Sequence, residues 1–164
     1  MGDCFSIIQI QSAPFLWLAS IPPAAIWRSD CEQCAYLPKC LYLLPWKLTL
    51  GEEASIGEWA LIYNLGPVSI GNQATISHRA HLCAGTHDYR DPTLPLLRSS
   101  IDIGAQAWIC ADAFIGPNTS VGEGAIVGAA SVITKEVGPW QIVAGNPPRF
   151  IKMRTMKDEF HDQD

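Results

Sequence analysis

From Ile103 onward an aliphatic residue returns at every sixth position: Ile103, Ile109, Ile115, Val121, Val127 and Ile133. The residue after each is small or Thr (Gly104, Cys110, Gly116, Gly122, Gly128, Thr134). Four places on, the residue is again small or Thr (Ala107, Ala113, Thr119, Ala125, Ser131), until Val137 breaks the rule. A period of six excludes an amphipathic helix, whose apolar stripe recurs every 3.6 residues, and is too long for a strand alternating every two. It predicts a parallel β-helix in which each hexad is one short strand and one turn, with three hexads closing a triangular coil.

The same frame runs upstream through Leu50, Ile56, Ile62 and then Ile70, Ile76, Leu82. The steps from Tyr42 to Leu50 and from Ile62 to Ile70 are eight residues, and each contains a proline, Pro45 or Pro67. Two-residue bulges at one corner of successive coils account for both. The chain thus reads as coils at 36–49, 50–69, 70–82, 103–120 and 121–138. The fold class is all-β, a triangular-prism solenoid over 36–154, with an irregular apolar segment at 1–35 and a short tail at 155–164. Coils of this kind stack backbone on backbone, so only the two ends need caps.

Between Leu82 and Ile103 the frame is interrupted by Cys83–Asp102, about fifteen residues more than a hexad needs. A loop of that length inside a regular solenoid points to function, and this one carries His87, Asp88, Tyr89, Arg90 and Asp91. Pro139, Pro147 and Pro148 close the repeat. The stretch Arg154–Asp164 reads as a helical or frayed tail.

Composition narrows the picture. At 164 residues and 48% apolar, one domain with a sizeable core is expected. A net charge of −5 with scattered basic residues excludes a nucleic-acid footprint. The one basic cluster, Arg149, Lys152, Arg154 and Lys157, is of a size to meet one phosphorylated ligand. Cys4–Trp27 is uncharged, yet Gln9, Gln11, Ser12, Pro14, Pro22 and Pro23 interrupt it as a spanning helix. With no basic segment ahead of it, it does not read as a secretory signal. A packed or loose cap is the expectation, with weak peripheral membrane association as the alternative. Cytoplasm is the expected location.

Four of the six cysteines fit the repeat. Cys34 and Cys40 occupy the slot that elsewhere holds Ala, and Cys83 and Cys110 the slot glycine usually takes. Buried free Cys behaves as a small hydrophobe. A zinc reading of Cys31, Cys34 and Cys40 lacks a fourth ligand at suitable spacing.

Three segments then carry a resemblance. Ile133-Thr134-Lys135 followed by Ala144-Gly145-Asn146-Pro147 resembles the end of the acetyl-CoA-dependent sugar O-acetyltransferases, which include the maltose, galactoside and nodulation enzymes. Ile62-Tyr63-Asn64, Thr86-His87-Asp88-Tyr89 and Trp108-Ile109 resemble the colanic-acid-type acetyltransferases more closely still. The likeness covers about residues 36–154. It implies a left-handed prism, acetyl-CoA as donor without a metal, and a homotrimer whose sites lie between subunits. It also implies His87 as general base, an acceptor-holding role for Asn64, and coenzyme positions at Ala111, Ala129, Thr134, Lys135, Arg149 and Lys152. Imidazole suits proton removal because its ordinary pKa lies near 6.5.

Plainer readings stand beside these. Asn64 is equally a turn residue, Arg149 and Lys152 could be a solvated tail, and His78 and His81 compete with His87 as base. Two rival functions remain: a non-catalytic scaffold built on the same solenoid, and a γ-type zinc carbonic anhydrase using His78, His81 and His87. O- and N-acetylation are not distinguished.

Overall fold

The computed structural model describes residues 35–36 and 40–156. The segment Cys4–Trp27, together with Cys31, Cys34 and the tail from Lys157, lies outside the described residues. Within them, no helix is long and apolar enough to cross a membrane.

Each rung contributes a strand of two to four residues to one of three faces. The first face carries β1 (Ala35–Tyr36), β4 (Ser55–Ile56), β7 (Thr75–Ile76), β12 (Trp108–Ile109), β15 (Ile126–Val127) and β17 (Gln141–Ala144). The second carries β2 (Leu41–Tyr42), β5 (Leu61–Tyr63), β8 (His81–Cys83), β13 (Phe114–Ile115) and β16 (Val132–Ile133). On the third lie β3 (Leu48–Leu50), β6 (Val68–Ile70), β11 (Ile101–Ile103) and β14 (Thr119–Val121). All these pairings are parallel.

The sixth-position aliphatics stack directly. Ile56, Ile76, Ile109, Val127 and Val143 are in register down the first face. Ile62, Leu82, Ile115 and Ile133 line the second, and Leu50, Ile70, Ile103 and Val121 the third. From Ile56 to Ile133 none of these is more than 2% exposed, and each such side chain stabilises the fold by roughly 1.5–3 kcal/mol. The alanine slots (Ala54, Ala60, Ala74, Ala80, Ala107, Ala113, Ala125) are equally buried because they turn inward at the corners, where no larger side chain fits. Cys40, half-buried, precedes β2 in that slot, and its neighbour's N–H donates to Ala60 O at 2.9 Å. Backbone rungs crowd just as closely at the glycines: a Cβ on Gly104 would sit 2.5 Å from Glu123 N.

All variation in coil length falls at one corner, between the second and third faces. From the second-face aliphatic to the third-face one, the step is eight residues twice and then 21 from Leu82 to Ile103. It is six from Ile115 to Val121 and four from Ile133 to Val137. Val137 bridges to Val121 in parallel and is buried, so its break in the pattern is a shortened corner that puts an aliphatic into the third-face column early. The ladder also carries on beyond residue 138. β17 continues the first face, and β18 (Arg149–Met153) folds back antiparallel against it. Arg154 anchors that return: its guanidinium donates to Gln106 O and Gly124 O at 2.8 and 3.0 Å. Arg154–Met156 form no helix.

Candidate functional site

The inserted loop leaves the prism at the variable corner as a hairpin, β9 (Gly85–His87) antiparallel to β10 (Leu96–Arg98), with His87 opposite Leu96. His87 closes the ladder at its outer end and is exposed. Its Nδ1 lies 2.5 Å from the carbonyl oxygen of Leu94. A carbonyl can only accept, so Nδ1 carries the proton and Nε2 of the neutral ring holds a free lone pair. That arrangement leaves the far nitrogen able to take a proton from a bound hydroxyl.

The loop tip is held by polar turns rather than packing. Asp88 Oδ1 accepts from the Arg90 N–H at 3.1 Å and from Arg90 Nε at 2.9 Å, while Asp88 Oδ2 accepts from Arg90 Nη2 at 2.8 Å. Asp91 Oδ1 accepts from the Thr93 N–H and hydroxyl at 2.8 and 2.7 Å. These donors hold both carboxyls below the usual carboxylate range: Arg90 for Asp88, Thr93 for Asp91. Leu94 follows with φ at +48° and its N–H on Asp91 O at 2.9 Å. Sequence reasoning singled out His87 as a candidate but did not reach the Leu94 carbonyl and the turn behind it. Asp91-Pro92-Thr93 is the signal it could have used, since Asp-Pro favours turn initiation.

The competing histidines are placed differently. His78 sits exposed on the corner between the first and second faces, where its carbonyl accepts from the Asp112 N–H at 3.3 Å. Beside it Arg79 forms a two-pronged pair with Asp112, both distances 2.7 Å. His81 lies on the second face with its ring edge-on to Phe114, centroids 5.1 Å apart. Burial lowers its pKa, and its Nε2 is buried without a partner. The three rings thus stand on a corner, a face and a loop. Among the described residues no three His, Cys, Asp or Glu gather as a metal-binding group.

Asn64, a candidate for holding an acceptor, lies inside the prism rather than on its surface. It is fully buried at the variable corner. Its Oδ1 accepts from the Leu43 and Leu44 N–H groups at 2.9 and 3.1 Å, and its Nδ2 donates to Leu44 O at 2.6 Å. The eight-residue corner leaves backbone groups that no rung can pair, and the amide is drawn inward to meet them. Asn64→Ala is therefore expected to destabilise the first coils by about 1–3 kcal/mol, the cost of stranding buried polar groups, with KM for acceptor unchanged. Chemical denaturation beside steady-state kinetics checks this.

The coenzyme candidates divide between two edges of the second face. Ala111 and Ala129 occupy equivalent turns of adjacent rungs on the corner with the first face, linked by the Ala130 N–H to Ala111 O at 3.0 Å. Among the described residues the Ala111 N–H has no acceptor. Arg149 continues that edge past the last coil: it pairs with Ala144, which stacks against Gly128. Lys152 stands further along β18, opposite Ile142. Thr134 and Lys135 are exposed on the other corner, two rungs beyond the root of the His87 loop. One subunit therefore does not bring the set together. Near His87, Asp88, Arg90, Asp91 and Pro92 line a shallow hollow. A second cleft, lined in part by Gln73, Trp108, Arg154 and Met156, lies on the first face, across the prism from the loop.

The three faces differ outwardly. The third shows Thr49, Ser69, Asp102 and Ser120, with Ser69 bonded to Asp102 at 2.6 Å. The second shows Leu41, Leu61, His81, Phe114 and Val132 in one row.

No family model matches the chain. It is 35% identical over 117 residues to the colanic acid biosynthesis acetyltransferase WcaF of Escherichia coli, a match covering 71% of this chain and 64% of that protein. It is 32% identical over 122 residues to a chloramphenicol acetyltransferase of Klebsiella aerogenes, covering 69% of this chain and 54% of that one. The chain thus spans less than two thirds of either relative. Among solved structures, a hexapeptide-repeat acetyltransferase of Vibrio cholerae complexed with acetyl coenzyme A has a TM-score of 0.68. It is 22% identical, with 76% of this chain and 69% of that chain covered, and shows the shared fold.

Proposed function

We propose that this chain, a member of the hexapeptide-repeat acetyltransferase family, moves an acetyl group from acetyl-CoA to a hydroxyl of a sugar-type acceptor, with His87 as general base. The observation that carries this reading is the His87 ring docked through Nδ1 on the Leu94 carbonyl, leaving Nε2 free on the one long insertion in the solenoid.

The acceptor hydroxyl gives its proton to Nε2 as its oxygen attacks the thioester carbon. The carbonyl oxygen becomes anionic and is met by a backbone N–H, for which the unpartnered N–H of Ala111 is suited. Collapse breaks the carbon–sulfur bond, and the imidazolium returns its proton to the departing thiolate. No acyl-enzyme forms. Cys110 sits in its repeat slot with burial raising its pKa, which disfavours a thiolate there.

His87 and Ala111 stand on opposite edges of the second face, so each site takes its loop from one copy and Ala111 of the partner subunit. A homotrimer closed through the apolar row of that face supplies this arrangement. The pantetheine arm then lies along Ala111 and Ala129, where side chains are smallest, between that edge and Thr134 and Lys135 of the adjoining copy. Arg149 and Lys152 meet the nucleotide phosphates, since phosphate favours Arg and Lys partners.

Thiol release from acetyl-CoA, measured across sugars, nucleotide sugars and chloramphenicol, tests the reading. Turnover above background with at least one hydroxylated sugar acceptor is expected. Acetyl-CoA binding with no thiol release for any acceptor would instead support the scaffold reading.

A further inference from the structure

We infer that Asp91 is a positioning residue for the general base: it sets the tautomer of His87 by fixing the turn that presents the Leu94 carbonyl. This rests on the reading of His87 given above and assigns a role to a residue outside the reacting groups.

His87 can abstract a proton through Nε2 only while its own proton stays on Nδ1. In a free imidazole the two neutral tautomers interconvert through water, and the Nε2–H form has no lone pair at the reacting nitrogen. In this chain the partner that holds the proton on Nδ1 is a backbone carbonyl, that of Leu94. Its direction is therefore a matter of backbone conformation. Leu94 has a positive φ of 48°, a region where a Cβ meets the following carbonyl. A leucine does not rest there unaided.

Nor does packing hold it. Leu94 is 52% exposed, and the neighbouring Tyr89, Leu96 and Leu97 are exposed as well. What remains is the turn before it. Asp91 Oδ1 gathers the Thr93 N–H and hydroxyl, and its carbonyl takes the Leu94 N–H. Pro92 between them fixes its own φ and offers no competing N–H. The Asp91 N–H closes the arrangement on Asp88 O at 3.2 Å, and the Asp88 N–H returns to Pro95 O at 3.0 Å. The Asp91 carboxylate is the only side chain in this circuit that bonds to the backbone adjoining Leu94. Asp88 serves Arg90, on the far side of the tip.

Removing that carboxylate frees the Thr93 N–H and lets Leu94 relax to negative φ, swinging its carbonyl off Nδ1. The His87 side chain itself is untouched. The consequence is a mixed tautomer population: a loss in kcat with little change in acetyl-CoA binding, since Asp91 is no part of the coenzyme contacts proposed above.

The experiment is ¹⁵N-edited NMR of the His87 ring in the full-length protein, with Asp91→Ala, Asp91→Asn and Thr93→Ala, beside steady-state kinetics. Asp91→Ala is expected to move the ring nitrogens from the Nδ1–H pattern toward the mixed pattern of free imidazole. It should lower kcat about tenfold, a fraction of the roughly 10²–10⁴ that positioned proton removal supplies, with KM for acetyl-CoA within about twofold. Asp91→Asn keeps the accepting oxygen and is expected to restore both signatures. Thr93→Ala, which keeps the N–H, should fall between. Unchanged ring nitrogens in Asp91→Ala, or Asp91→Asn as impaired as Asp91→Ala, would overturn the assignment. The ring spectrum needs no turnover, so failure of the acetyl-transfer reading would show separately, as absent thiol release by the unsubstituted protein.

Discussion

His87→Ala is expected to lower kcat by at least about 10²-fold, the lower bound of what a positioned base contributes, without loss of coenzyme binding or assembly. His87 is exposed and outside the prism, and β9 and β10 stay paired through backbone bonds that do not involve its ring. No core volume is removed, so circular dichroism and melting temperature should stay near those of the parent. The residues expected to meet coenzyme A stand elsewhere, so KM for acetyl-CoA should change little. Such a split, with kcat lost and KM kept, is what removal of a group acting in the transition state gives. Turnover unchanged from the parent would take His87 out of the mechanism, and His78 or His81 would then need testing in its place.

The second large effect is expected from Phe114→Arg. Phe114 lies in the apolar row of the second face, between His81 and Val132, and its ring meets the His81 edge at 88°. If copies pack through this face, an arginine there is buried against leucine and valine with no carboxylate in the row to receive it. Such a charge costs several kcal/mol, repeated in each subunit of a cyclic assembly. Sedimentation velocity should show trimer giving way to monomer at micromolar concentration. Activity should fall by about 10² or more, because the proposed site draws on two edges of this face, which no single copy joins. Ser120→Arg on the polar third face serves as the control and should remain trimeric and active. A Phe114→Arg protein that stays trimeric with full turnover would move the interface to another face.

The six-residue period specified the core because it is a local signal: it states which side chains turn inward, and hydrophobic burial then stacks them. Ile76, Ile109 and Val127 could be aligned on paper and are found in register. Cys40 and Cys110 were likewise explained by their slots. The insertion that carries His87 was legible too, since it is conspicuous against so regular a frame.

Asn64 shows where such reading ends. Its neighbours in sequence do not reveal that two N–H groups twenty residues earlier lack partners, and only stacking of coils places them against it. The same holds for Val137, whose departure from the pattern becomes a shortened corner once Val121 lies above it. It holds also for Ala111 and Lys135, each two places after its aliphatic yet assigned to different edges by the count of faces between them. The sequence by itself determined that this chain is a three-sided stack of coils with one long loop, because periodicity and burial act residue by residue. The tertiary structure alone decided which backbone groups Asn64 meets, which face is left apolar and which way the Leu94 carbonyl points. Those depend on hydrogen bonds and contacts between residues that only the winding of the chain makes neighbours.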